Sequence, residues 1–265
     1  MSRVIFRPSA GFLVGVLAML ATALYLSDYY TGEQQRLAAA GDDAGAMEAS
    51  RRAVRLDPFD TDALQAQSFL WRQQKKYDRA ALALKKAIER DPNNYLPYLT
   101  LANLRLSTGD LDAAAAAYRD VLELNPNAIV ARSSLAQALT RQGKLREARE
   151  EYETLKGEDS VTYQDLYALG RIQVRTGEPL AGVKNIKRAR HLAAGDQAGG
   201  RGPAQRQLLI SMDLATADAL VVAGRPGRAR SILERSPSEQ APGLLELLSS
   251  DPEAYREQVI SSDIY

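Results

Sequence analysis

The sequence predicts an all-α protein: one N-terminal transmembrane helix followed by an α-solenoid of stacked helix pairs. Three observations carry that expectation. Pro58, Pro92 and Pro126 stand 34 residues apart and close the same phrase: Arg55-Leu56-Asp57-Pro58, Glu89-Arg90-Asp91-Pro92 and Glu123-Leu124-Asn125-Pro126. A fixed period of that size marks an array of supersecondary units that bury their apolar faces against one another. Alanine is abundant and aromatics make up only 6% of the chain, which favours helices, because alanine loses no side-chain entropy in one. Finally, an uncharged apolar run stands directly before the first repeat.

In that first element, residues 1–7 carry Arg3 and Arg7, and no charge occurs from Pro8 to Ser27. Its core, residues 10–26, spans roughly 26 Å at 1.5 Å per residue, the lower edge for a membrane helix. Tyr25, Tyr29 and Tyr30 sit where an aromatic belt anchors the outer end. Two readings compete. Ala21-Thr22-Ala23 fits a signal-peptidase site, whereas a repeat register beginning at Ser27 leaves little room for a protease and favours a retained signal-anchor over residues 8–27. Arginines before the helix orient residues 1–7 to the cytoplasm, so either reading places the repeats outside it. Gly11 and Gly15 form a GxxxG, through which two membrane helices can approach to make a homodimer; the alternative is a plain lipid-facing surface.

Aligned on the prolines, repeats start at Ser27, Thr61, Tyr95, Ile129 and Tyr163. The fifteenth position reads Gly41, Lys75, Gly109, Gly143 and Gly177, where glycine ends one helix in the left-handed conformation. The twentieth reads Ala46, Ala80, Ala114, Ala148 and Gly182, small residues where two helices must pack closely. Positions twenty-four and twenty-seven are mostly apolar at helical spacing (Leu84, Tyr118, Tyr152, Ile186; Ala87, Val121, Leu155, Ala189).

This pattern resembles the tetratricopeptide repeat (TPR). The third repeat is the best match, through Tyr98, Leu101-Ala102, Gly109-Asp110, Ala114, Tyr118 and Pro126. Leu135-Ala136, Gly143, Ala148 and Tyr152 carry it in the fourth, and Leu169-Gly170 and Gly177 in the fifth. In the first repeat Glu33 and Gln34 depart from it. Arg105 and Gln173 stand where a large apolar residue is usual, with Leu104 and Ile172 placed to fill that space. The resemblance implies a right-handed solenoid with five repeats over residues 27–193. A flexible Gly-rich loop is expected at 194–206, then a degenerate sixth repeat at 207–237 around Gly224, Ala229 and Leu233, cut short by Pro237. Residues 238–265 form an acidic capping segment, with Asp251-Pro252 as a helix start.

Charge and chemistry exclude several function classes. A net charge of +1 gives no reason to expect nucleic acid. There are no cysteines and a single histidine, His191. Asp42-Asp43 and Asp110/Asp112 fall at inter-helix turns, where Asp caps the next helix. Gly199-Gly200-Arg201-Gly202 lacks the context of a phosphate loop. No catalytic, metal-ligating or cofactor-binding residue is assigned, and an enzyme is not expected. The resemblance instead implies a groove lined by the first helix of each pair: Gln65, Phe69, Arg72, Leu99, Asn103, Leu106, Ser133, Gln137, Arg141, Tyr167, Arg171 and Arg175. Arginine forks suit carboxylates, so the expected partner is a protein or peptide of acidic character; the alternative is a solvated helix face. Asn103 matches one carboxylate-clamp position of the family's chaperone-tail variant, without its lysines. Residues 187–235 hold nine basic and four acidic residues, and 238–265 six acidic and one basic; the acidic end is expected to fold back on the sixth repeat or to compete with an acidic partner for it, the alternative being a solvated tail. Similar anchored repeat proteins act as scaffolds in bacterial secretion, pilus, polysaccharide-export and cytochrome-maturation systems; a secreted periplasmic chaperone is the alternative.

Overall fold

The computed structural model describes residues 10–57, 60–157, 161–195 and 202–264. Arg3, Arg7, Pro8, Pro58, Gly199, Gly200 and Arg201 lie outside the described residues. Among those described there are fourteen α-helices and no strand, in two compact units, residues 1–126 and 127–265.

Unit 1 comprises α1 (Ala10–Ala39), α2 (Asp43–Leu56), α3 (Thr61–Gln73), α4 (Tyr77–Arg90), α5 (Tyr95–Thr108) and α6 (Leu111–Leu124), packed as three consecutive hairpins. Each hairpin reverses through left-handed backbone, with φ of 79° at Gly41, 58° at Lys75 and 82° at Gly109. At Gly109 the N–H reaches back to the carbonyls of Arg105 and Leu106, satisfying groups the helix end would leave open. Asp42 and Asp110 then cap the second helices, accepting from the N–H of Gly45 at 2.9 Å and of Ala113 at 3.3 Å. Behind the turns Ala46, Ala80 and Ala114 are fully buried. A side chain in the left-handed region costs roughly 1–2 kcal/mol. Lys75→Gly is therefore expected to stabilise unit 1 by about 0.5–1 kcal/mol, net of glycine's greater freedom when unfolded. A urea midpoint that rises at unchanged slope is the corresponding measurement.

The helix entered at Ala10 does not stop at Ser27; α1 runs unbroken into the first hairpin. Its second half packs on α2, where buried Ser27 donates to the Ala53 carbonyl at 3.1 Å and to Asp60 Oδ2 at 3.3 Å. Its first half is uncovered, with Phe12, Val14, Leu17, Met19 and Leu20 between 55% and 78% exposed. Among the described residues this is one helix long and apolar enough to cross a membrane, with a mean hydropathy of 1.7 over its apolar window, and a signal sequence has the same character.

Unit 2 comprises α7 (Ile129–Arg141), α8 (Leu145–Lys156), α9 (Tyr163–Arg175), α10 (Pro179–Ala194), α11 (Pro203–Val222), α12 (Pro226–Leu233), α13 (Ala241–Ser250) and α14 (Pro252–Ser261). Gly143, Gly177 and Gly224 make its left-handed turns at φ 75°, 92° and 68°. Proline opens α10, α11, α12 and α14, where its missing N–H would have had no helical partner. For that reason Pro203 to Arg206, expected as loop, form the first turn of α11; Ala194 closes α10, and residues 196–201 lie outside the described set. α12 ends at Leu233, ahead of Pro237.

The core of unit 2 gathers Leu166, Ile186, Met212, Leu220, Tyr255 and Val259 from α9, α10, α11 and α14. Gln173, at an expected apolar position, is buried but satisfied: its Oε1 accepts from Asn185 Nδ2 at 2.7 Å and its Nε2 donates to Glu153 at 3.3 Å. Ile172 and Leu104 supply the apolar packing beside Gln173 and Arg105, and Arg105 pairs with Asp110 at 3.5 Å.

Candidate partner-binding site

In unit 1 the exposed faces of α1 and α3 enclose a cleft of about 650 Å³, lined by Thr31, Gln34, Gln35, Ala38, Asp62, Gln65, Ala66, Phe69 and Gln73, with Leu96 of α5. Gln65 and Phe69 fall where the sequence places them. Arg72 stacks its guanidinium over the Phe69 ring at 5.4 Å. On α5, Leu99 and Leu106 are half-buried and Asn103 is exposed, none of the three lining this cleft. Asn103 Oδ1 accepts from the Tyr118 hydroxyl at 2.6 Å, an anchor between α5 and α6. Gln34 is 3% exposed, and its Oε1 finds no hydrogen-bond partner in the protein.

In unit 2, Ser133, Gln137, Tyr163, Gln164, Tyr167, Arg171, Leu208, Met212 and Ile264 line a cleft of about 330 Å³. Ser133 is fixed by donating its hydroxyl to Asp165, whose carboxylate also accepts from the N–H and hydroxyl of Thr162 in the cap of α9. Arg141, further along α7, is exposed and does not line the cleft. Tyr167, Arg171 and Arg175 are four residues apart on α9 and so share one face. The Arg171 guanidinium lies over the Tyr167 ring at 5.6 Å. Burial, and then the neighbouring Arg171, hold the Arg175 guanidinium below its ordinary value. Opposite them, burial pushes the Asp218 carboxyl up, while the Tyr255 hydroxyl, Arg171 and Arg175 pull it back.

The arginines are already in contact with main chain. Arg171 Nη2 donates to the Asp263 carbonyl at 3.1 Å, and Arg175 donates to the Ser262 carbonyl at 2.9 Å and to its hydroxyl at 2.7 Å. The acidic end was expected against the basic sixth repeat. α14 does pack on α11 there, through Tyr255 and Val259, but residues 262 and 263 reach the arginines of the fifth repeat instead. Their carbonyls match arginine's directed donors whatever the side-chain charge.

Among the described residues no group of three or more His, Cys, Asp or Glu is placed to hold a metal ion, and His191 is exposed in the last turn of α10.

Residues 72–116 and 105–170 match the tetratricopeptide repeat family profile. No curated protein matches the chain by sequence. Solved structures agree on the TPR fold. A MamA protein is 20% identical over 66% of this chain and 98% of its own, with a TM-score of 0.59. YrrB, described as a TPR protein with an unusual peptide-binding site, is 17% identical over 63% and 86%, at 0.54. PilF of Pseudomonas aeruginosa is 15% identical over 89% and 97%, at 0.57. At such identities the likeness is one of fold.

Within that TPR frame, sequence reasoning missed the α1 side of the first cleft and Leu208, Met212 and Ile264 in the second. Gln34 stood out as a departure from the repeat pattern; Ile264 had no local signal.

Proposed function

We propose that this chain is a membrane-anchored, extracytoplasmic scaffold whose TPR clefts hold an extended, acidic peptide segment of a protein partner in a bacterial envelope complex of the secretion, pilus, polysaccharide-export or cytochrome-maturation class. The observation that carries the reading is the unit 2 cleft, where Arg171 in its lining and Arg175 one turn along α9, outside the lining, donate to main-chain carbonyls beside an apolar floor. The fold shared with a protein described as having a peptide-binding site adds to this.

Anchoring is supported by α1, whose apolar half has no protein cover and whose helix continues through Ala21, Thr22 and Ala23, the backbone a signal peptidase would need extended. Gly11 and Gly15 leave a flat face open on that helix for a second copy. Mass spectrometry of the mature chain should find residues 1–23 retained; a start at Leu24 would mark the released, chaperone-like form. Protease added to spheroplasts should digest the repeats, and protection would place them in the cytoplasm. Photo-crosslinkers at Gln65 and Gln137 in native membranes should capture a protein, whereas capture of none defeats the groove reading.

A further inference from the structure

We infer that residues 262–264 are an internal ligand of the unit 2 cleft, which a partner segment of similar chemistry must displace. The inference rests on the peptide-binding reading of that cleft and adds a regulator to it.

The segment leaves α14 as extended chain, with Ser262 at φ −70° and ψ 148°. Two successive carbonyls, those of Ser262 and Asp263, then receive the Arg171 and Arg175 guanidinium groups. Directly after them Ile264 is 7% exposed and forms part of the cleft lining with Tyr163, Tyr167 and Met212. Main-chain carbonyls read by fixed donors, followed by one side chain in an apolar pocket, is how an extended peptide is held by a groove. The packing of α14 does not require this segment, since Tyr255 and Val259 already hold that helix on α11. The local chemistry specifies the competitor: an extended segment whose successive carbonyls meet the two arginines, followed by an aliphatic residue.

A self-occupied site lowers apparent affinity by the fraction of molecules in which it is open. The probe is a fluorescein-labelled peptide of residues 257–265, titrated against the full chain in detergent micelles. A chain lacking residues 262–265, and the full chain carrying Ile264→Asp, should each bind it about tenfold more tightly than the full chain does. Adding Arg171→Ala and Arg175→Ala to the shortened chain should abolish binding. Should the shortened chain lose its helical circular dichroism, Ile264→Asp carries the comparison. Equal affinity of the open and full chains overturns internal occupancy and leaves the peptide-binding reading standing. Absence of binding by every chain overturns the inference as well, while the crosslinks at Gln65 and Gln137 judge the groove independently. A full chain that is dimeric and becomes monomeric on shortening would show that the segment serves a second copy, which also overturns it.

Discussion

Gly170→Ala is expected to destabilise unit 2 by up to about 2 kcal/mol, although alanine is the better helix former. A Cβ on Gly170 would stand 2.6 Å from Ile186 Cγ1, 2.9 Å from the Gly182 carbonyl and 3.1 Å from the Ile186 nitrogen. Two of those three neighbours are backbone of α10, so no rotamer change relieves them. Overpacking of this kind costs about 1–3 kcal/mol, partly offset by about 1 kcal/mol of helix propensity. Gly182 meets the reciprocal obstacle, 2.6 Å from the Gly170 carbonyl. The double variant Gly170→Ala/Gly182→Ala should cost less than the sum of the two, because one separation of the helices accommodates both methyls. Trp71, the only tryptophan, lies in unit 1. The helical signal followed in guanidinium should shift its midpoint down, with Trp71 fluorescence as the reporter of unit 1. An unshifted helical signal would mean that α9 and α10 are not in backbone contact.

That pair shows how far the sequence reaches. Small residues at the eighth and twentieth repeat positions are visible as Ala102 with Ala114 and Ala136 with Ala148, and Gly170 with Gly182 extends the series. Period and residue size thus mark where helices cross, but not that α9 and α10 come close enough to exclude a methyl group. The turns are equally legible, because left-handed backbone selects glycine so strongly that Lys75 stands out as the exception. Pro203 was misread for a reason of the same kind: proline after a run of glycines signals a loop, yet it is equally suited to the first turn of a helix.

The candidate site was legible only in part. Tyr167, Arg171 and Arg175 follow from helix spacing, since residues four apart share a face. What those arginines hold does not follow, because the bonds to Ser262 and Asp263 span 87 and 92 residues. No propensity or periodicity encodes a contact at that separation; it arises from where α14 is docked. Gln34 is the converse case. Its departure from the small-residue pattern was plain, but only the packing of α1 on its neighbours turns it into a buried amide at the edge of a cleft.

Docking of α14 depends on Tyr255, and Tyr255→Ala is expected to cost about 3–5 kcal/mol, as for other buried aromatics truncated to alanine. Tyr255 is 1% exposed, and its hydroxyl donates to Asp218 Oδ1 at 2.7 Å. Tyr255→Phe keeps the ring and removes the donor, leaving a half-buried carboxylate short of a partner at a cost of about 1–3 kcal/mol. The pH dependence separates the two contributions. Because burial raises the Asp218 carboxyl above its ordinary 3.8, the fold favours the neutral acid. Its contribution is full below that ordinary value and is lost as pH rises through the raised one. Asp218→Asn keeps an acceptor for Tyr255 without the charge. Measured against it, the native chain should therefore lose relative stability with rising pH through the mildly acid range and level off beyond it. In Tyr255→Phe the loss should be larger and extend to higher pH, since the hydroxyl no longer pulls the carboxyl down. Identical profiles for the native chain and Asp218→Asn would show that Arg171 and Arg175 fully compensate the buried charge. In that case the arginines would be committed to Asp218 and less available to the carbonyls of residues 262 and 263.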